Sequence, residues 1–477
     1  MIFHFLHFQA LTCLKMAAYP YAARPPLIFR GGLILSLFLV LPAVDADDAG
    51  AGNEQPVPAT AAASVGEYTL SQAFTDTLAH DARVLAAQNR VAEARERLEQ
   101  VKSSLRPSLT LSGNTGYTYN RNQARATTTY KGNSSRGRVQ LNQNLYTFGR
   151  IAGRRQRAEA EIAEAEYALT EMRQEVLAEA ARAFSEQVFR ERILESRRAF
   201  ETLLGELEDI ARRRIDLGTL DRTELFEVLR RQHQARALRL EASSRYHVAR
   251  AQLARLTGAD HGNLAASSLA TLEVATPGNL QYALEQAQGQ SPALLRARMR
   301  LEAAEGELAF RKAELWPTLS LEVNASTANV GRGVAAAPRP SIGEIYTTDV
   351  VAGVNLSMPL YEGGLRRSQL RGARLAVETA RWELSAERER VDIDVRSNWD
   401  LLQGLIDSLQ EFQGAVKDMR EVIELTGNKL DAGRATFVQY IEAQEDALEV
   451  EFELLNSRLR LDETRIALLQ ALAQLSP

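Results

Sequence analysis

Cysteine and histidine, two residue types that often carry out catalysis or bind metals, are few and scattered in this chain. It has one cysteine, Cys13, so an intrachain disulfide and a cysteine-based zinc site are excluded. No two of the histidines beyond the N-terminal region have the short spacing of metal ligands; they are His80, His233, His247 and His261. Walker, HExxH and GxSxG motifs are missing from the sequence. We therefore predict a protein that is not an enzyme and that has no cofactor and no metal.

The abundant carboxylates are explained by solvated helix faces. The chain has 61 acidic and 57 basic residues, which gives a net charge of −4. Acidic residues lie three or four positions from arginines, as in 161–166 beside 154–157, and this is the spacing of ion pairs along a helix. A near-neutral chain also lacks the basic stripe of a nucleic-acid-binding protein.

Two copies of one unit account for most of the sequence. The segment from Thr69 to Pro107 recurs 210 positions later as the segment from Asn279 to Pro317, and Gly218 recurs 215 positions later as Gly433. Each copy has the pattern helix, strand, loop, strand, long helix, turn, helix. The predicted helices are 69–106, 150–216, 220–257, 279–315, 363–430 and 436–475. The first repeat is 67–257, an inter-repeat linker is 258–278, and the second repeat is 279–477.

The helix ends and the helix contacts can also be predicted. Gly218 and Gly433 stand where a helix ends in a left-handed residue. Asp221 with Glu224, and Thr436 with Gln439, have the spacing of capping boxes at matching positions in the two copies. Apolar residues along the long helices repeat nearly every seven positions, which predicts coiled-coil contacts.

The N-terminal region predicts export. Arg24 and Arg30 precede an apolar run, 33–41, and Val44-Asp45-Ala46 follows as a small-residue cleavage pattern. We expect a signal peptide over 1–46, starting at Met1 or Met16, and a flexible linker over 47–66. The alternative is a signal anchor that stays uncleaved.

Four segments alternate apolar and polar side chains, as half-buried strands do. They are 107–119, 136–146, 317–328 and 349–361. Strands of this length fit a tilted path across a bilayer, and the alternative is two amphipathic hairpins that cap a coiled coil in water. The export signal favours the bilayer. Four strands cannot close a barrel, so two, three or four copies would have to supply 8, 12 or 16 strands.

Helix length predicts an elongated molecule. A helix over 150–216 would be about 100 Å long at 1.5 Å per residue. A compact ball of this chain length would have a radius of gyration of about 23 Å, and so a diameter of about 60 Å. The helix does not fit inside such a ball, which indicates a rod or a tube.

These features together resemble the TolC family of outer-membrane efflux proteins. The resemblance covers residues 68–476 and lies in the duplication, in Leu105-Arg106-Pro107 with its echo Leu315-Trp316-Pro317, and in the tip Gly433-Arg434-Ala435-Thr436. It implies an α+β membrane protein: a homotrimer whose four strands per chain form a 12-stranded β-barrel in the outer membrane of a Gram-negative bacterium. A coiled-coil α-helical tunnel would continue the barrel into the periplasm.

The resemblance also implies a function and partners. The protein would be a passive conduit for drug efflux or type I protein secretion, and it would dock with a periplasmic adaptor and an inner-membrane transporter, either an ABC transporter or a proton-driven pump. The alternative is a periplasmic coiled-coil scaffold that does not enter the membrane.

By position, the resemblance assigns an entrance gate and tip turns. Glu224, Gln439 and Glu442 correspond to residues that line or lock the periplasmic entrance. The family usually has a carboxylate where Gln439 stands, and its aromatic and basic locking residues correspond here to Leu430 and Ala435. The tip turns, which the resemblance implies contact the adaptor, contain Gly218, Thr219, Gly433 and Arg434.

Overall fold

A computed structural model describes residues 67–122, 128–262, 264–330, 333–335 and 345–477. The predicted signal peptide over 1–46 and linker over 47–66 lie outside these residues. The described helices are α1 (Leu70–His80), α2 (Ala82–Ser103), α3 (Arg150–Asp216), α4 (Arg222–Thr257), α5 (Ala270–Ala275), α6 (Leu280–Gln290), α7 (Pro292–Ala313), α8 (Leu365–Asp431) and α9 (Phe437–Ala471). The strands are β1 (Ser108–Asn122), β2 (Thr128–Tyr146), β3 (Thr318–Val330), β4 (Gly333–Ala335) and β5 (Ile345–Ser357).

The two longest helices, α3 and α8, have 67 residues each. Helix α3 coincides with the predicted 150–216, and α8 begins and ends within two residues of the predicted 363–430. Both begin after a glycine in the left-handed conformation, Gly149 (φ 90°) and Gly364 (φ 89°), at matching positions of the two copies. In the described part of the chain, no helix combines the length and the apolar character that crossing a membrane requires.

Two predicted helices were wrong as single elements. The segment 69–106 is divided into α1 and α2 at Asp81, whose backbone is extended and whose carboxylate accepts a hydrogen bond from the N–H of Arg83. The segment 279–315 is divided into α6 and α7 at Ser291, because a residue before a proline is disfavoured in the helical conformation and Pro292 is suited to a first helical position.

Other predicted boundaries also need correction. The inter-repeat linker 258–278 contains a 3-10 turn, Ala266–Leu269, and the short helix α5. Strand β2 begins at Thr128 instead of 136, because β1 and β2 pair residue by residue up to Asn122 and Thr128. Strand β5 spans Ile345–Ser357 instead of 349–361, and Pro359, which cannot donate a ladder hydrogen bond, follows its end.

The strands form one antiparallel sheet in the order β1-β2-β3-β5, with the short β4 paired to β2. The register aligns residues of one type across the four strands. One apolar row contains Leu111, Val139, Ala325 and Val350. The next row, on the opposite face, contains Ser112, Arg138, Ser326 and Asp349. The sheet therefore has one apolar face and one polar face, and Leu111 on the apolar face is 79% exposed.

Helices α3 and α7 cross in very close contact. A Cβ atom on Gly306 would lie 2.6 Å from the backbone nitrogen of Arg157, and a Cβ atom on Gly153 would lie 2.4 Å from the backbone nitrogen of Phe310. Each glycine therefore leaves room for the backbone of the other helix. This contact joins the first repeat to the second just below the sheet.

Candidate functional site at the helical tip

The end of the helices that lies away from the sheet is formed by two similar turns. Gly218 between α3 and α4 has φ 71°, and Gly433 between α8 and α9 has φ 69°. The residue after each glycine donates its N–H back to the last helical turn: Thr219 to the carbonyl of Arg214 at 2.9 Å, and Arg434 to the carbonyl of Lys429 at 2.7 Å. These are helix ends that need a left-handed residue. Both turns expose their glycine and the residue that follows it.

The helix starts after the two turns differ from each other. Thr436 and Gln439 form the predicted capping box. Asp221 and Glu224 do not, because the carboxylate of Asp221 accepts from the nearby N–H of Thr223 at 2.8 Å. These hydrogen bonds from the backbone and hydroxyl of Thr223 lower the pKa of Asp221.

Glu224 faces the other repeat instead. Its carboxylate lies 3.5 Å from the backbone N–H of Phe437, the first residue of α9. An acidic group beside the first turn of a helix stabilises that turn. Glu224 thus connects α4 to the start of α9. Gln439, another predicted entrance residue, takes part in the capping box of α9.

Glu442 also belongs to a contact between the repeats. Its Oε1 accepts from a guanidinium nitrogen of Arg231 on α4 at 3.0 Å, and Arg231 also binds Glu445 on α9. The Arg231 side chain is 11% exposed, whereas that of Glu442 is 55% exposed. One largely buried cation is therefore shared by two carboxylates. These three side chains have a net negative charge, and Glu442 lies on their solvent-exposed side.

An apolar cluster packs beside these ion pairs. Phe437 and Ile441 of α9 are buried against α3 and α4, together with Phe200, Leu204, Leu207, Ala211, Val228, Ala235 and Leu430. Leu430, which the resemblance placed at a locking position, is thus a core residue here. The tip of α9 is held against the first repeat by both apolar contacts and charge.

Sequence reasoning missed Arg231. Its partner Glu442 is 211 positions away, and the repeat offset of 215 pairs Arg231 with Asp446, so the duplication gives no sign of the contact. Only the packing of α4 beside α9 brings these side chains together. All three predicted entrance residues lie within the first two helical turns after the tips. Gln439 is exposed but belongs to the capping box, and Glu224 is half-buried. Glu442 is exposed and has no capping hydrogen bond.

Comparison with known proteins gives a consistent result. Residues 74–259 and 283–474 match the sequence profile of the family described as outer membrane efflux protein. The outer membrane protein TolC of Vibrio cholerae is 24% identical over 419 residues, which are 87% of this chain and 93% of that protein. The outer membrane efflux protein BepC of Brucella suis is 23% identical over 86% of this chain and 87% of its own length.

A solved structure supports the fold. The crystal structure of CusC superposes with a TM-score of 0.70 at 16% identity, covering 85% of this chain and 92% of that one. The predicted fold class, an internally duplicated protein of long helices and a few antiparallel strands, is confirmed. The predicted outer-membrane location is confirmed by the family match.

Proposed function

Because the chain belongs to the outer membrane efflux protein family, we propose that three copies assemble into an outer-membrane channel that exports substrates from the periplasm or from an inner-membrane transporter. The channel is passive, and its energy comes from the transporter, to which a periplasmic adaptor connects it through the tip turns. Its substrates are small toxic compounds, proteins, or both.

The observation that carries this proposal is the incomplete sheet. Strands β1 and β5 end the strand order, and each has one edge that pairs with no other described strand. An open edge in lipid leaves backbone N–H and C=O groups without partners, at several kcal/mol each. Pairing of β1 with β5 of the next copy removes both edges, and three copies give a closed barrel of 12 strands. The apolar face then contacts lipid and the polar face lines the channel.

The helices support the same assembly. Along α8, Leu375, Trp382 and Ile393 are 62%, 76% and 61% exposed. Their counterparts 215 positions earlier are Ala160, Tyr167 and Ala178 of α3, of which the two alanines are buried. Helix α3 lies between α2 and α7. Helix α8 has α7 on one side, and no helix of the described chain occupies the position on its other side that α7 occupies beside α3. The α2 helix of the next copy fills that place by the repeat symmetry.

We further propose that Glu442 lines the periplasmic entrance. Three copies place three Glu442 carboxylates around the axis, and a ring of carboxylates favours cations and slows anions. Glu224 and Gln439 hold the first turn of α9, and Arg231 fixes the position of Glu442. The entrance of this chain is thus held by the Arg231 cluster, since Leu430 and Ala435 supply neither a charge nor an aromatic hydroxyl.

Conductance in planar bilayers tests both the channel and its entrance. We expect discrete channels from the purified protein, and a Glu442→Ala variant should show higher single-channel conductance or a weaker cation preference, because one carboxylate per copy is lost. Glu451→Ala, on the opposite side of α9, is the matched control. A protein that produces no channels would contradict the function, and unchanged traces from Glu442→Ala would remove Glu442 from the entrance.

A further inference from the structure

We propose that three arginines near the start of α8, Arg367, Arg371 and Arg374, bind the anionic headgroups of the phospholipid leaflet that borders the periplasm. We call these three residues the arginine stripe. This inference rests on the proposed function, because it requires the strands to lie in a bilayer.

The arginine stripe carries positive charge that no carboxylate of the same described chain neutralises. The spacing of four and three positions places the side chains on one face of the helix, and all three residues are exposed. In the described part of the chain, none of them is within ion-pair distance of a carboxylate, although the adjacent Arg366 pairs with Glu362. The first acidic residue on this face is Glu378, one turn beyond the stripe. The stripe is therefore available for an anionic partner.

The side of the helix layer that faces the channel can be identified from the polar face of the sheet. Asn144, on the polar face of β2, donates to the carbonyl of Ser104 at 2.9 Å. Ser104 lines a groove of about 450 Å³ between α2, α3 and α7, which Arg157 and Glu307 also line. The groove side therefore continues the polar face of the sheet.

The arginine stripe lies on the opposite side. Arg381, seven positions after Arg374 and so on the same face, is 3.6 Å from Glu305 of α7. Glu305 and Glu307 are two positions apart and so point to nearly opposite sides of α7, and Glu307 belongs to the groove. The stripe thus continues the apolar face of the sheet, which is the face that meets lipid in the proposed channel.

Aromatic side chains occupy the junction between the sheet and the helices. Phe148 and Trp316 stack with ring centroids 6.1 Å apart, and Tyr146 meets Phe148 edge-on at 4.6 Å. Trp316 is 58% exposed, and Tyr361, just before α8, is 88% exposed. Tyrosine and tryptophan concentrate at the level of lipid headgroups. The junction therefore marks the membrane boundary.

The distance from this boundary fits a headgroup layer. At 1.5 Å per residue, Arg367 lies about 3 Å, Arg371 about 9 Å and Arg374 about 14 Å along the axis from the first residue of α8. The headgroup layer of one leaflet is roughly 5–8 Å thick, and an arginine side chain extends toward the interface by several ångströms. Arg367 and Arg371 reach the phosphates directly. Arg374 lies just outside the headgroup layer, on its periplasmic side, and adds to the electrostatic attraction.

A phospholipid leaflet is the occupant that matches both properties of this surface. Its phosphates complement the three free guanidinium groups, which bind phosphate through paired hydrogen bonds. Its acyl chains would contact the apolar face of the sheet, which adjoins the stripe.

Spin-labelled lipids test this directly. The full protein is reconstituted in phosphatidylcholine vesicles, and electron paramagnetic resonance measures how strongly it associates with spin-labelled phosphatidylglycerol and with spin-labelled phosphatidylcholine. We expect a preference of about fivefold or more for phosphatidylglycerol, since one arginine near an anionic surface contributes about that factor. The preference should fall with added salt.

Two triple variants isolate the arginine stripe. The first variant replaces all three stripe arginines with glutamine (Arg367→Gln, Arg371→Gln and Arg374→Gln), and it should abolish the preference for phosphatidylglycerol. The control replaces Arg388, Lys417 and Arg420 with glutamine, which removes the same charge from the same helix farther from the sheet, and it should leave the preference unchanged.

The possible failures are distinguishable. A stripe variant that inserts and keeps the wild-type preference for phosphatidylglycerol would overturn the proposal. The proposal would also fail if inorganic phosphate lowers this preference more than chloride does at equal ionic strength, because the site would then bind free phosphate. If the wild-type protein associates with neither labelled lipid, its strands do not lie in the bilayer, and the proposed function fails first.

Discussion

Arginine in place of Leu111 should prevent stable insertion of the protein into a membrane, whereas arginine in place of the adjacent Ser112 should be tolerated. Leu111 is on the apolar face of β1 and is 79% exposed in the single chain. A charge on the lipid-facing side of a barrel costs up to about 2–4 kcal/mol per chain, and the cost falls from the midplane of the bilayer toward its interfaces. Three copies multiply that cost, so the Leu111→Arg assembly should be lost from detergent extracts of outer membranes.

Ser112→Arg is a matched control because it adds the same side chain one position away, on the opposite face. It lies in the row of Arg138 and Asp349, which lines the channel in the proposed barrel. We expect normal amounts of inserted protein with altered ion selectivity. If both variants insert equally well, the assignment of the apolar face to lipid is wrong.

Alanine at Gly306 should destabilise the protein, although alanine in an exposed helical position normally stabilises it. The added Cβ atom would lie 2.6 Å from the backbone of α3, so the two helices must separate. Overpacking costs about 1–3 kcal/mol, and a clash with backbone atoms belongs at the upper end of that range, above the gain of about 1 kcal/mol in helix propensity. Thermal unfolding followed by circular dichroism should show a lower midpoint.

Gly414→Ala tests the same substitution where there is room. No heavy atom lies within 4 Å of a Cβ at Gly414 in the described chain. The midpoint should stay the same or rise. A Gly306→Ala protein as stable as the wild type would show that α3 and α7 are not held at the observed distance.

Local sequence signals predicted the features that local chemistry controls. The left-handed ends at Gly218 and Gly433 and the capping box of Thr436 with Gln439 were predicted because each depends on residues within a few positions. The helix break at Pro292 depends on the same kind of signal, and an uninterrupted helical pattern had concealed it. The duplication predicted the position of both long helices.

Contacts between the repeats were not predictable in this way. The close crossing at Gly153 and Gly306 and the ion pairs of Arg231 join residues far apart in sequence, and their spacing within each helix is not distinctive. Glu224 was predicted to cap its own helix, but Asp221 prefers the nearer N–H of Thr223, which leaves Glu224 free to meet α9. Tertiary packing decides such pairings.

The central claim is that the edges of the sheet are completed by neighbouring copies. Amide hydrogen exchange of the assembled protein in a membrane, read by mass spectrometry over β1, β2, β3 and β5, tests this claim most directly. Strands β1 and β5 should exchange as slowly as β2 and β3, because every edge amide then has a partner. Rapid exchange confined to β1 and β5, with slow exchange in β2 and β3, would contradict a closed barrel.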